Sequence, residues 1–302
     1  MAGGADSTKA VIYALGANGA IAISKYVAAF ITGSGSMLAE AVHSTADCGN
    51  QALLLFGLKR AKRAPSDDYP LGYGKEIYFW SFIVAIMLFS VGGLFSLYEG
   101  WHKLHAPEPL SYPLVALGVL AFGIVAEGFS TWGCLREVNK LRGSRTTWQW
   151  FRSSRNAELV VILGEDLAAL LGLTLAFVAV LLTWVTGNPM WDALGGIAIG
   201  ALLIVVAVLV GVEVKQLLVG QGVETEVRKE MMDFLAAQPA VERVFQLLTL
   251  HMGADVMVAV KVRMREQGGQ DALVSAVNAV EAAFSERFPQ VQWIFFEPDV
   301  AD

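Results

Sequence analysis

The sequence predicts an α-helical membrane protein: a six-span transmembrane bundle followed by a small C-terminal α+β domain. Three observations carry this. Of 302 residues, 55% are hydrophobic and only 17% charged, where a soluble domain carries about a quarter charged residues. Mean hydropathy is +0.52. Six stretches (10–32, 36–58, 77–101, 112–135, 157–187 and 191–218) are apolar over the roughly 20 residues that a helix needs to cross a hydrocarbon core about 30 Å thick.

The elements follow in order. The opening "MAGGADSTKA" has neither the Arg-rich character of a transit peptide nor a basic signal-peptide start, so the first span is expected to remain. "TGSGS" and "TGNPMWD" are tight turns between antiparallel neighbours, and "HAPEPLSYP" breaks the third span from the fourth. Lys59, Arg60, Lys62, Arg63 and Lys75 crowd the loop after the second span; Arg136, Lys140, Arg142, Arg145, Arg152 and Arg155 crowd the loop after the fourth. The alternate loops hold only Lys103. Positive charge stays on the cytoplasmic side, which puts both termini and both basic loops there. Beyond about residue 220, "VETEVRKEMMDFLAAQP" reads as an amphipathic helix, "VERVFQLLTLHMG" and "ADVMVAVKVRMR" as a hairpin, "GGQDALVSAVNAVEAAFSERFPQ" as a second helix and "VQWIFFEPD" as a last strand. That order predicts helices on one face of a sheet. The division is 1–220 transmembrane and 221–302 cytoplasmic. A net charge of -6 argues against a nucleic-acid partner, and Cys48 and Cys134 form neither a disulfide framework nor a zinc-knuckle spacing.

Ionisable groups inside a span are costly and face the bundle interior. His43 and Asp47, in "AEAVHSTADCGNQ", share a helical face at i,i+4. They are either a hydrogen-bonded pair or half of a divalent-metal site, and spacing alone does not choose. Glu165 and Asp166, in "VVILGEDLAALLG", are adjacent carboxylates in a long apolar helix, where a bound cation would relieve their repulsion. They point about 100° apart, so both need not reach one ion. Asn18 is a peripheral ligand or a helix–helix hydrogen bond. Lys25 snorkels or pairs with a carboxylate, Glu40 caps neighbouring backbone or extends a pathway, and Glu127 pairs with a neighbouring span; Gly195, Gly196 and Gly200 read as close-packing positions, and His251 as a turn residue that could pair with Asp255 or bind metal.

"GSGSMLAEAVHSTADCGNQ" through "LKRAKRAPSDDYPLGYGKEIYFWSF", with six spans and a tail, resembles the cation diffusion facilitator family of metal transporters. "GEDLAALLG" and "TGNPMWDALGG" resemble the branch that includes the eukaryotic mitochondrial zinc exporter. The resemblance implies a ferredoxin-like cytoplasmic domain and a homodimer formed through that domain and the spans. It implies exchange of Zn²⁺, or alternatively Mn²⁺, Fe²⁺, Co²⁺ or Cd²⁺, for protons by alternating access. The metal is substrate; no cofactor and no enzymatic activity are implied, and a non-transporting metal sensor or scaffold is the alternative class. The family's ligand positions fall on His43, Asp47 and Asp166. A histidine common four residues before that aspartate is Ile162 here, with Glu165 as the substitute and Asn18 at the periphery. Loop and tail ligands of other members fall on Tyr69, Tyr73, Phe245, Lys261 and Phe295, with only Glu297 keeping a ligand type, so a tail without a zinc cluster is expected. The expected location is a bacterial cytoplasmic membrane.

Overall fold

The computed structural model describes residues 4–107, 109–266 and 268–301, with side chains from 18 onward. It contains helices α1 (Gly4–Thr32), α2 (Gly35–Ala61), α3 (Glu76–Met87), α4 (Phe95–His105), α5 (Pro113–Leu141), α6 (Thr147–Ser153), α7 (Ala157–Thr186), α8 (Met190–Val219), α9 (Thr225–Ala236) and α10 (Gln270–Arg287), and strands β1 (Val241–Met252), β2 (Asp255–Met264) and β3 (Val291–Pro298). A π-helical stretch, Leu88–Leu94, joins α3 to α4 as one continuous rod. This is a helical, multi-pass membrane protein. Among the described residues, four helices are long and apolar enough to cross a bilayer: Glu76–His105, Pro113–Leu141, Ala157–Thr186 and Met190–Val219.

The chain divides into two compact units. The first comprises residues 1–57, 80–152 and 156–214. Its core joins Met37 and Ala39 of α2, Leu117 and Leu120 of α5, Leu173 and Val180 of α7, and Ile199 and Leu203 of α8. Glycines allow a close approach between α8 and the rod. A Cβ on Gly200 would lie 2.5 Å from the Leu97 nitrogen, and one on Gly100 2.5 Å from that of Ile197. Backbone-to-backbone packing of this kind is how apolar helices associate where lipid offers no hydrophobic contrast. At the α1–α2 turn, Asp192 of α8 accepts hydrogen bonds from the Gly35 and Ser36 amides and from the Ser34 and Ser36 hydroxyls. A carboxylate on the orphan amides of a helix start is a cap supplied from another helix.

The second unit comprises residues 58–79, 153–155 and 215–302. Here α9-β1-β2-α10-β3 forms a three-stranded sheet in the order β1-β2-β3; β1 and β2 are antiparallel, β2 and β3 parallel. Alternation along β2 turns Val256, Val258, Val260 and Val262 to one face, where they pack with Met231 and Leu235 of α9 and Val280 and Phe284 of α10. The β1–β2 turn meets the segment before α3. The Gly74 backbone lies so close to the Met252 carbonyl that a Cβ would overlap it, and the Tyr78 hydroxyl donates to the Gly253 carbonyl (3.1 Å) and accepts from the Gly253 amide (3.0 Å). Gly253 has φ +84°, a left-handed conformation that glycine adopts freely. Arg155 donates to the Gly222 carbonyl at 2.8 Å.

Candidate functional site

Within the first unit, α1, α2, α5 and α7 surround a cavity of about 100 Å³. Four carboxylates line it: Asp47 of α2, Glu127 of α5, and Glu165 and Asp166 of α7. Asn18 and Lys25 of α1, Ser44 and Gln51 of α2 and Ser130 of α5 complete the polar wall. Four carboxylates and one ammonium thus share a small cavity in an apolar bundle, where ionisable groups are costly and face the interior.

His43 is fully buried one turn from Asp47, and its Nδ1 stands 3.5 Å from Asp47 Oδ1. That separation allows attraction but no hydrogen bond; neither ring nitrogen nor Asp47 Oδ1 has a hydrogen-bond partner. The imidazole also faces the π stretch, where a Cβ on Gly92 would sit 3.9 Å from Nδ1. Glu165 Oε1 accepts from Asn50 Nδ2 at 2.6 Å, tying α7 to α2, and Asp166 Oδ2 accepts from Ser130 Oγ at 3.2 Å, tying α7 to α5. Asn18 donates to Gln51 at 3.1 Å, a bridge from α1 to α2 at the cavity edge. Lys25 donates to Glu40 Oε2 (3.2 Å) and Ser44 Oγ (2.7 Å).

The structure therefore gathers Asp47, Glu165, Asp166 and Asn18 around one cavity, with His43 directly behind Asp47. Among the described residues, no three His, Cys, Asp or Glu side chains come together tightly enough to hold an ion as they stand. Asn50, Gln51 and Ser130 were missed in the sequence. The first two carried a signal, lying three and four residues beyond Asp47 on its helical face. His251 lies in the other unit, at the β1–β2 turn; burial and the nearby Arg155 guanidinium hold its pKa below the ordinary histidine value.

Residues 11–219 match the cation efflux transmembrane domain. The chain is 33% identical over 275 residues to the proton-coupled zinc antiporter SLC30A9, mitochondrial, of Xenopus laevis, covering 90% of this chain and 48% of the relative. It is 30% identical over 241 residues to metal tolerance protein C4 of Arabidopsis thaliana, covering 79% and 53%. To the cation-efflux pump FieF of Escherichia coli O127:H6 it is 24% identical over 288 residues, covering 93% and 89%. The chain thus spans about half the length of the frog and plant relatives. A carboxylate cavity inside a helical bundle and this likeness over most of the sequence agree: the chain belongs to the cation efflux, or cation diffusion facilitator, family.

Proposed function

We propose that the protein is a divalent-cation efflux transporter, with Zn²⁺ as first substrate, that exchanges metal for protons by alternating access. The observation that carries this is the cavity shared by Asp47, Glu127, Glu165 and Asp166. Family membership and relatives whose names include proton-coupled zinc antiporters support it. Asp47, Asp166 and His43 are the proposed ligands, Glu165 the fourth, and Asn18 peripheral. Binding requires a neutral imidazole and ionised carboxylates, so metal entry displaces protons; acid on the outer side returns them and expels the metal. One imidazole among several carboxylates is a harder donor set than paired histidines, which keeps Mn²⁺ and Fe²⁺ as the second reading.

This reading includes α1 and α2 as two further spans, six in all, with both termini and the basic loops cytoplasmic. Residues 1–220 form the membrane domain and 221–302 a ferredoxin-like cytoplasmic domain, in a homodimer in a bacterial cytoplasmic membrane. The α-β-β-α-β order and its one covered sheet face support the fold assignment. The exposed Leu248 and Phe295 on the other face support a partner copy there. The test is Zn²⁺ flux into proteoliposomes. Flux should saturate, dissipate a pH gradient and vanish in Asp47→Ala; flux indifferent to Asp47→Ala sinks the assignment.

A further inference from the structure

We propose that the buried Lys25–Glu40 ion pair is the outer gate of the transport path, a charged barrier closing the carboxylate cavity on the side of the α1–α2 turn. The proposal rests on the transport reading above. Lys25 is 2% exposed and Glu40 0%. Glu40 lies seven residues from Asp47 toward that turn, about 10 Å along the helix axis. Lys25 itself lines the cavity, and the wall on this side is completed by Ser44, Gly123 and Leu173, all buried. At the other end Asn18 and Gln51 are partly exposed and Ser130 is exposed. The pair is tightly packed. A Cβ on Gly172 would lie 2.5 Å from Glu40 Oε1, and one on Gly123 3.0 Å from Leu173. A cation leaving toward the turn must displace a like-charged ammonium in a medium that screens little.

The pair is poorly suited to be a mere staple. Glu40 Oε1 is buried without a hydrogen-bond partner, and the Lys25 ammonium has two acceptors for three N–H groups. A half-satisfied buried pair is less stable than an apolar contact of the same shape. Both partners stand on the two helices that meet at the Gly33–Ser34 turn, so relative movement of α1 and α2 separates them.

The experiment uses the full chain in proteoliposomes with an internal Zn²⁺ indicator. Two paired variants, Lys25→Gln/Glu40→Gln and Lys25→Met/Glu40→Leu, remove the charges while keeping bulk. Zn²⁺ leak without a pH gradient should rise at least about tenfold, in variants that still bind Zn²⁺ in detergent. Unchanged leak in a folded variant overturns the gate. So does loss of binding together with flux, or failure of both variants to fold, since each marks the pair as structural. A wild type without Asp47-dependent flux defeats the transport reading instead and is recognised by that control.

Discussion

His43 keeps two buried ring nitrogens without hydrogen-bond partners, a cost of about 1–3 kcal/mol for each. In the proposed site a metal ion on the ring offsets that cost. In that proposed site Asn50 acts through Glu165 rather than on an ion: its amide donates to one carboxylate oxygen at 2.6 Å. Groups that orient a ligand typically carry about 10–100-fold in metal affinity. Asn50→Leu should therefore weaken Zn²⁺ binding by about tenfold or more in calorimetric titration, while Glu165→Gln/Asn50→Leu should be no weaker than Glu165→Gln alone. Equal affinity for Asn50→Leu and wild type would remove Glu165 from the proposed ligand set. At this scale the sequence was legible where charge is expensive: His43, Asp47, Glu165 and Asp166 stand out in apolar runs. Lys25 and Glu127 were visible but unplaced, because one helix does not tell which neighbour its polar face meets.

Among the elements, the glycine contact between α8 and the α3–α4 rod sets how closely the helices approach. Gly200→Val puts side-chain atoms into the Leu97 amide and Gly93 carbonyl, and overpacking a tight contact costs about 1–3 kcal/mol or more. Its melting temperature in detergent should fall by several degrees. Gly118→Ala, with nothing within 4 Å, should melt as wild type. The small-residue spacing in "GGIAIG" announced this contact. The π stretch Leu88–Leu94, which lies against Leu203 and Ile204 of α8 and His43 of α2, was not legible from local propensity. Nor was α6, whose seven residues lie in what reads as a basic loop; buried Trp150 and Phe151 hold it. The tail's elements and its β1–β2 hairpin were legible because β2 alternates by two and the amphipathic helices by about 3.6; the place of β3 beside β2 was not.

For the whole molecule, pH acts at two separate places. Under the proposed exchange, protons and metal compete within the first unit, whereas His251 of the second responds through stability. Its pKa is lowered, first by burial and then by Arg155, so the folded chain holds it neutral where the unfolded chain begins to protonate. Its contribution is present above the unfolded value, about 6.5, and is lost as pH falls below that value toward the lowered folded one. Hydrogen exchange of Val241–Met264, corrected for intrinsic rates, should show less protection at pH 5.5 than at pH 7.5. His251→Gln should flatten the difference, and an equal difference in that variant would exclude the imidazole as its source.

The mutual fit of Gly74, Met252 and Gly253, with Tyr78 closing both polar groups of Gly253, bears on where the tail begins. An appendage hinged only at its first residue could be excised at 221 and keep its surfaces whole. This one is sewn into the chain at 58–79 and 153–155 as well. Cutting at 221 would hand the Gly253 amide and carbonyl to water and strip Met252 of its cover. The compact unit that holds the sheet is therefore discontinuous, and its further segments come from the basic loops that the sequence marks by charge alone.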